Sequence, residues 1–538
     1  MERIRSNPWA VLFVLCMGFF MILLDTTIVN IAIPSIVDAL HASLDQILWV
    51  INGYILVYAV LLITTGRLGD LYGQRNMFAL GMAIFIGASA LCGFAQTTEA
   101  LIAARVLQGV GGALLTPQTL ALLTTILPPE RRGAAFGVWG AVGGIAALTG
   151  PTLGGYIVTY WNWRWIFFVN LPIGIIALAA TFLVIPDIRS GRQHRLDLVG
   201  VALSSSGLFL IVFGLIEGQR YNWGEVVGPI TIPAIIGLGV VLEIAFFLFE
   251  RTQPEPLVPL ALFDDRNYLI MNWVSAAVSF GMLGLFLPIT IYFQSALGLS
   301  ALAAGLAVAP MSLTSMIVAP LSGRLADRIG GKYILLVGLV LFAAGMALVN
   351  RLASPDATAA TFLVPFVLAG IGQGCVFAPL STIAMRGVRP QMAGAASGVL
   401  STTRQLGGVI GSAVVGAILQ TNLVGAIQVW ATADATRLPQ ALQARFVEGF
   451  SGATSGGLEV GRTQGGGFQL PPGLPQDAIA QIGALIHDVF VNAYVSAMHA
   501  TLFVPIGILL LGAMSCLLVE QQRRLTPETQ RAEVLVGE

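Results

Sequence analysis

Long apolar runs separated by short polar connections constrain the fold more than any other feature of this sequence. Runs of roughly 18 to 25 residues recur along almost the whole chain, and about 20 apolar residues in a helix span the hydrocarbon core of a bilayer. Only 10% of the 538 residues are charged, too few to cover a water-soluble globule of this size. Backbone groups in lipid need partners within their own segment, which favours helices. The sequence therefore predicts an all-α polytopic membrane protein.

The apolar runs number fourteen, which predicts fourteen transmembrane helices. The first run follows Arg3 and Arg5 but is too long for the core of a signal peptide, so we interpret it as a retained span. The four cysteines lie in separate runs and do not indicate a disulfide framework. The expected spans are residues 9–33, 46–66, 77–95, 100–126, 134–158, 164–185, 197–217, 229–250, 268–293, 302–323, 333–350, 361–385, 394–420 and 495–519.

The distribution of Lys and Arg predicts the orientation of the chain. If the N-terminus lies inside, 19 of the 27 basic residues fall on the inside face, 6 on the outside face and 2 within spans. Cytoplasmic loops carry an excess of basic residues, so this asymmetry favours a cytoplasmic location for both termini. The zero net charge of the chain conceals the asymmetry.

An internal repeat gives the best evidence on architecture. The segment Gly66–Arg75 (GRLGDLYGQR) recurs as Gly323–Lys332 (GRLADRIGGK), 257 residues later. Further along, Gly133–Val138 (GAAFGV) recurs as Gly394–Val399 (GAASGV), 261 residues later. Two blocks in the same order at nearly the same offset indicate two related halves.

The repeat divides the chain into three parts. Residues 1–190 form a predicted N-terminal six-helix bundle, residues 191–262 an inserted pair of helices, and residues 263–538 a C-terminal six-helix bundle. Two parallel six-helix bundles are the architecture of a large class of transporters, which bind substrate between the halves near the middle of the membrane. We therefore expect fourteen helices arranged as six, two and six.

Residues 421–494 are expected to form a long extracytoplasmic loop. Its middle, residues 451–475, is rich in glycine and is predicted to be flexible. Its end, residues 479–490, has apolar residues at helical spacing and suggests an amphipathic helix near the membrane surface. The loop is either a contact for a periplasmic or cell-envelope partner or an insertion without a role.

Asp25 and Arg105 are the most informative charges, because each lies within an apolar run. An ionisable group at membrane depth costs about 3 kcal/mol on insertion scales and usually faces the interior of the bundle. An acid in that position suits a group that loads and releases a proton, and a purely structural acid is the alternative. The repeat places Phe366 at the position of Arg105, so the fold does not require an arginine there. We predict that Asp25 and Arg105 are the proton-coupling pair.

The repeated ten-residue segment combines a carboxylate, cations and glycines at the inside face. Asp70 can pair with an arginine or a helix N-terminus, and such a cluster can hold the inside face shut until the halves rock. An orientation anchor is the alternative. In the fifth span, Gly150 and Pro151 combine a small packing surface with a helix-weakening proline. The predicted gating residues are Gly66, Arg67, Asp70, Gly73, Arg75, Gly150, Pro151 and Asp327.

Several other polar residues lie within the predicted spans and are candidates for a substrate pocket. Glu243 lies in the inserted pair, where it faces either a cleft or its neighbouring helix. The candidate substrate-binding residues are Asn30, Asn52, Trp139, Asn272, Gln373, Arg404 and Gln405.

Together these segments resemble the major facilitator superfamily, and within it the fourteen-span drug:proton antiporters of the EmrB/QacA type. The resemblance runs from Leu24 to about Val519, and the long segment 421–494 is its main departure. It implies the major facilitator fold, a bacterial cytoplasmic (inner) membrane, and export coupled to protons through Asp25 and Arg105. The motifs that carry it are Leu24-Asp25-Thr26 through Pro34, Arg105 with Gln108-Gly109, Gly150-Pro151 with Gly154-Gly155, and Trp163-Arg164-Trp165 to Gly174.

The expected function is export of amphipathic, often cationic, drugs or lipophilic metabolites in exchange for protons. An exporter dedicated to one endogenous metabolite, lipid or siderophore is the alternative, and the Gly150-Pro151 motif argues against an uptake symporter. Nothing in the sequence indicates an enzyme, a metal site, a cofactor or a nucleic-acid partner. The expected partners are small-molecule substrates, protons and membrane lipid, the energy source is the proton gradient, and the expected state is a monomer.

Overall fold

The computed structural model describes residues 7–187, 196–453 and 476–520, and this part of the chain is almost wholly helical. Within it, fourteen helical spans are long and apolar enough to cross a membrane. The predicted number of spans is therefore confirmed.

The first half consists of six spans, of which the sixth is interrupted at Val169. Its helices are α1 (Pro8–Leu40), α2 (Leu44–Tyr72), α3 (Gln74–Phe94), α4 (Thr98–Ile126), α5 (Pro129–Tyr160), α6 (Trp165–Phe168) and α7 (Asn170–Val184).

The inserted pair consists of two antiparallel helices joined by a short hairpin. Its elements are α8 (Leu198–Glu217), β1 (Glu225–Val227), β2 (Ile230–Thr231) and α9 (Ile232–Glu250). Glu243 of α9 faces α8, because a Cβ atom placed at Gly207 would lie 2.7 Å from Glu243 Oε1. Glu243 was expected to face either a cleft or its neighbouring helix, and in the structure it contacts the neighbouring helix α8.

The second half begins after a 3₁₀ turn at Leu260–Leu262 and contains the remaining six spans. Its ninth span ends in a π-helical turn, Tyr292–Ala296, and its twelfth span is broken at Cys375 and Val376. Its helices are α10 (Arg266–Ile291), α11 (Ala301–Ile329), α12 (Lys332–Leu352), α13 (Leu363–Gly374), α14 (Phe377–Ala384), α15 (Ala393–Ala435), α16 (Gln440–Ala453) and α17 (Gln476–Cys516).

Local sequence explains where several helices begin and end. Ser43 and Gln46 form a reciprocal capping box at the start of α2, in which each side chain accepts from the other residue's backbone N–H. Gly73 has φ +91° between α2 and α3, and Gly330 has φ +89° at the equivalent point of the second half. Only glycine adopts such angles without strain, so both copies of the repeat turn in the same way.

The segment 421–494, predicted to be a loop, is helical over most of its described length. α15 continues to Ala435, α16 follows at Gln440–Ala453, and α17 already begins at Gln476. The prediction of a loop was wrong because hydropathy marks where a helix leaves lipid, not where the helix ends. The amphipathic helix expected at residues 479–490 is the first part of α17, and residues 454–475 lie outside the described residues.

A small apolar core joins the end of α15 to α16 and to the first part of α17. Arg437 extends toward Asp434 of α15 and Asp488 of α17, with N–O distances of 3.4 and 3.9 Å. The segment is therefore a packed helical structure in its described parts. The core contains Ala431, Leu438, Phe446, Phe450, Ile482, Leu485 and Val489.

Close contacts between small residues bring the two halves together. A Cβ atom at Gly66 of α2 would lie 2.4 Å from the carbonyl oxygen of Gly394 in α15. The equivalent atom at Gly323 of α11 would lie 2.0 Å from the carbonyl oxygen of Gly133 in α5. The halves therefore meet through two equivalent pairs of helices, α2 with α15 and α11 with α5, at backbone-to-backbone distance.

Candidate functional site

Asp25 of α1 and Arg105 of α4 form an ion pair in the interior of the first half. The Asp25 residue is 0% exposed and Arg105 is 1% exposed. Arg105 Nη1 donates to Asp25 Oδ2 at 2.5 Å. Neutralising one partner of a buried pair typically costs about 3–5 kcal/mol, because the other charge is left without compensation. The state of Asp25 therefore decides how Arg105 is held.

Three neutral side chains complete the surroundings of the Asp25 carboxylate. Gln108 Nε2 donates to Asp25 Oδ1 at 2.8 Å, and Gln108 Oε1 accepts from Arg105 Nη1 at 2.6 Å. Asn170 Nδ2, at the start of α7, lies 3.3 Å from Asp25 Oδ1. Ser89 Oγ accepts from Gln108 at 2.7 Å and from Asn170 at 3.3 Å. The pair is therefore part of a network that joins α1, α3, α4 and α7.

The remaining contacts of Arg105 are with α2. Its Nε donates to the carbonyl oxygen of Val50 at 3.1 Å, and its guanidinium carbon lies 4.4 Å from the ring centroid of Tyr54. In the second half, Phe366 replaces Arg105 and packs in an aromatic cluster with Phe293 and Phe362. The same position thus belongs to a charge network in the first half and to an apolar core in the second half.

Gly150 of α5 packs against α1 close to Asp25. A Cβ atom at Gly150 would lie 2.0 Å from Thr27 Oγ1 and 2.6 Å from Thr27 Cβ. One turn further, an added Cβ at Gly154 would meet Ile28 at 2.8 Å. α1 and α5 are therefore in direct contact two residues from the buried carboxylate. Pro151 is helical, but its side chain lies outside what the structure describes.

Near the other end of α5, a carboxylate of the opposite half binds the second turn of the helix. Asp327 of α11 accepts from the backbone N–H groups of Gly133 and Ala134, each at 2.8 Å. A carboxylate at a helix N-terminus is stabilised by the unpaired N–H groups and by the helix dipole. This contact can therefore hold the two halves together.

The same contact occurs at the equivalent place in the repeat. Asp70 of α2 accepts from the backbone N–H groups of Gly394 and Ala395 in α15, each at 2.8 Å. We call these two carboxylate–helix contacts the latch, and the end of the molecule that carries them the latch face. Both parts of the latch are closed in this structure.

Two further predicted gating residues, Gly66 and Arg67, lie close to the latch. Arg67 is buried close to Asp70, and Gly66 lies against α15. Arg75 forms an ion pair with Asp187 at 3.1 Å, within the first half. The structure therefore brings Gly66, Arg67 and Asp70 to the interface between halves and places Arg75 elsewhere.

Two of the pocket candidates, Trp139 and Arg404, meet across the interface. The Arg404 guanidinium carbon lies 5.7 Å from the Trp139 ring centroid, and Trp139 stacks on Phe19 at 4.1 Å. Asn272 and Gln373 are buried in the second half, where Gln373 contacts Met282.

The remaining pocket candidates do not join this pair. Asn30 is exposed and donates to the carbonyl oxygen of Thr26 in its own helix. Asn52 and Gln405 are half-buried. The seven predicted residues thus do not form one pocket.

Sequence reasoning did not predict site roles for Ser89, Gln108 and Asn170. Neutral polar residues are common in membrane helices and carry no signal of their own. Gln108 follows Arg105 by three residues, and this spacing places both on one face of α4. That spacing was the available signal for Gln108, whereas Ser89 and Asn170 reach the site only through tertiary packing.

Sequence comparison gives one family match and relatives that cover most of the chain. Residues 15–412 match the family model described as Major Facilitator Superfamily. The tetracenomycin C resistance and export protein of Streptomyces glaucescens is 34% identical over 438 residues, which cover 81% of this chain and 80% of that protein. The multidrug resistance protein Stp of Mycobacterium tuberculosis is 34% identical over 414 residues, which cover 77% of this chain and 76% of that protein.

A solved structure shares the fold at much lower sequence identity. The human organic anion transporter MFSD10 aligns with a TM-score of 0.58 and 14% identity, over 94% of this chain and 99% of that chain. At this identity the likeness concerns the fold alone.

Proposed function

This chain belongs to the Major Facilitator Superfamily, and we propose that it is a proton-coupled exporter of amphipathic small molecules. It is a multi-pass membrane protein of fourteen spans. The observation that carries the proposal is the buried Asp25–Arg105 pair. Asp25 lies on α1, which packs against α5, the helix whose other end is held by the latch. The names of the two relatives, which refer to export and drug resistance, support the direction of transport.

α5 provides the connection between proton binding and the latch. Its contact with Thr27 at Gly150 and its contact with Asp327 at Gly133 are 17 residues apart, or about 25 Å along the helix. A proton that binds Asp25 removes the charge that holds Arg105, and α1 then shifts against α5. Because α5 moves as one helix, Gly133 and Ala134 near its N-terminal end leave Asp327 and the latch opens. The two positions of α5 thus couple the Asp25–Arg105 pair to the latch.

The proposal includes the orientation and the setting of the protein. The latch face lies in the cytoplasm together with both termini, as the distribution of basic residues favours. The membrane is the cytoplasmic membrane of a bacterium, and the protein works as a monomeric carrier rather than as an enzyme. It uses the proton gradient and no cofactor. The packed segment formed by α16 and the first part of α17 is the surface for any cell-envelope partner.

Asp25→Asn tests the coupling. Asparagine has nearly the same size as aspartate but has no carboxylate that could bind and release a proton. We therefore expect no export driven by a pH gradient in membrane vesicles. Asp38→Asn is the matched control, because Asp38 lies on the same helix with an exposed side chain. Asp38→Asn should transport like the unmodified protein. Full proton-driven export by Asp25→Asn, with normal insertion, would contradict the proposal.

Reversing the gradient tests the orientation of coupling. With no membrane potential across the vesicles, export should require the more acidic compartment on the side opposite the latch face. Equal export with the gradient in either direction would exclude this arrangement.

The breadth of the substrate range is a separate question within the proposal. One relative is named for a single antibiotic and the other for multidrug resistance. We propose a broad range. A panel of dyes and antibiotics, tested on cells with and without the protein, should show protection against several unrelated compounds. Protection against one compound alone would instead support a dedicated exporter.

A further inference from the structure

A small cavity lies between the two halves, next to the Trp139–Arg404 contact. Its lining comes from four helices, α4 of the first half and α10, α14 and α15 of the second half, and Trp139 of α5 lies behind Arg404. Arg404 is the eleventh residue after the start of α15, about 16 Å along the helix, which corresponds to the middle of the membrane. Its lining includes Leu120, Ser275, Phe377, Ser381, Ser401 and Arg404.

Arg404 is the only charge among the residues that line the described cavity. Its guanidinium makes no hydrogen bond or ion pair with any residue that the structure describes, and its one recorded contact is the face of Trp139. A charge at mid-membrane depth is costly unless an opposite charge or several acceptors compensate it. Arg404 is therefore held in place without a protein partner for its five N–H donors.

Other donors around Arg404 also lack partners. Trp139 Nε1 and Ser401 Oγ are buried, and neither has a hydrogen-bond partner among the described residues. An indole N–H can only donate, and a buried polar group without a partner destabilises the structure. The hydroxyl groups of Ser275 and Ser381 line the same cavity. The site thus presents a cation and donors, with no carboxylate in its described lining.

We propose that this cavity is the substrate site and that it selects planar aromatic molecules bearing an anionic oxygen, such as a carboxylate. The proposal rests on the exporter function proposed above and names its substrate class. A carboxylate matches the planar fork of Arg404. Trp139 lies against Arg404 outside the present lining of the cavity, and its unpartnered indole N–H becomes a further donor when the halves move apart. Phe377 and Leu120 offer apolar surface for the rings. The site therefore favours anions over the cations expected from the sequence.

The cavity is small in this structure, with room for about one water molecule. Drug-sized ligands occupy pockets of about 300–1,000 Å³. The lining comes from both halves, so opening the latch enlarges the cavity as the halves rock apart. Substrate binding therefore belongs to the conformation in which the latch is open.

Two matched fluorescent probes test the substrate class. Pyrenebutanoate and pyrenebutylammonium have the same ring and tether and opposite charges. Binding to the purified protein should be at least about tenfold tighter for the anion, since hydrogen bonds to a charged group contribute about 1.5–3 kcal/mol. Equal or tighter binding of the cation would overturn the proposal.

Substitutions at Arg404 assign the preference to this side chain. Arg404→Gln should weaken pyrenebutanoate binding by about 10- to 100-fold and abolish the preference, whereas Arg404→Lys should retain it in part. Arg351→Gln removes an exposed arginine at the end of α12 and is the matched control, which should bind both probes normally. An intact preference in Arg404→Gln would refute the assignment.

Trp139→Phe keeps an aromatic ring and removes the donor, so it separates hydrogen bonding from stacking. We expect a several-fold weaker binding of the anion and unchanged binding of the cation. Equal losses for both probes would mean that Trp139 acts only through packing and would contradict its donor role.

Transport of the same probes in vesicles distinguishes this inference from the proposed function. Proton-driven export of pyrenebutanoate in preference to pyrenebutylammonium supports both. Proton-driven export of the cation alone overturns the substrate class and leaves the exporter function standing. If pyrenebutanoate binds with the expected preference but neither probe nor any dye of the panel is exported, the exporter function fails and the binding site stands.

Discussion

Asp70 and Asp327 lie at equivalent positions in the two halves, and each carboxylate accepts two backbone hydrogen bonds from the N-terminal part of a helix in the opposite half. The two contacts are related by the internal repeat, so each half holds the other in the same way. Neither carboxylate could be replaced by a neutral side chain without loss of charge-assisted hydrogen bonding.

Asp327→Asn should open one side of the latch selectively. The loss of charge-assisted hydrogen bonds corresponds to about 1.5–3 kcal/mol, so amide exchange at Gly133 and Ala134 should become about 10- to 100-fold faster. Hydrogen–deuterium exchange with mass spectrometry measures this directly. Asp70→Asn is the internal control, since it should affect Gly394 and Ala395 instead. Unchanged exchange at all four amides would show that the carboxylates do not hold the helices.

Gly66→Ala should prevent closure of the latch face. The added methyl group would lie 2.4 Å from the Gly394 carbonyl oxygen, and backbone cannot move aside as a side chain can. Overpacking of this kind costs about 1–3 kcal/mol and should shift the protein toward the open state and reduce export. Gly87→Ala is the control, because nothing lies within 4 Å of an added Cβ there. Equal export by both variants would rule out the close approach.

Gly150→Ala should separate α1 from α5 and uncouple export from protons. The methyl group would meet Thr27 at its Cβ as well as its Oγ1, so rotation of that side chain does not make room. The measurement is the number of protons that enter per substrate exported, which should fall. Gly155→Ala adds a methyl group where no atom lies within 4 Å and should leave the ratio unchanged. A normal number of protons per exported substrate in Gly150→Ala would show that coupling does not depend on this contact.

Gln108→Leu tests whether the network around the ion pair contributes to transport. Leucine has a similar size but cannot join Asp25, Arg105 and Ser89, so we expect a maximal export rate lower by about tenfold or more. Substrate affinity should stay unchanged, because this site is separate from the Trp139–Arg404 cavity. Cys92→Ala removes a weaker neighbour of Gln108, at 3.8 Å, and should have little effect. A changed affinity with a normal rate would contradict the assigned role.

The sequence predicted the large features of the fold because lipid imposes them. Apolar run lengths gave the number of spans, and the repeat indicated equivalent halves. The pairing of Asp25 with Arg105 was foreseeable, since isolated charges within spans have few other partners. α15 and the first part of α17 were misjudged because their outer turns are polar, and hydropathy does not distinguish a polar helix from a loop.

The partners of the latch could not be predicted in the same way. Asp70 and Asp327 are bound by backbone N–H groups of Gly394 and Gly133, and every residue except proline carries such a group. Only packing decides which helix end meets which carboxylate. Arg404 shows a related limit. It has no ion-pair partner among the described residues because the neighbouring helices bring no carboxylate next to it, and the sequence does not show which helices are neighbours.

The difference between Arg105 and Phe366 bears on the electrical work of a transport cycle. If Asp25 is the coupling carboxylate proposed above, its network carries one proton per cycle, and the aromatic cluster at the equivalent position of the other half carries none. Exchange of one proton for a monovalent cation would be electrically silent. Exchange for a monovalent anion moves the equivalent of two positive charges inward, and an interior-negative potential of 100 mV then contributes about 4.6 kcal/mol per cycle. For the substrates that Arg404 favours, the membrane potential itself would therefore drive export, even without a pH gradient.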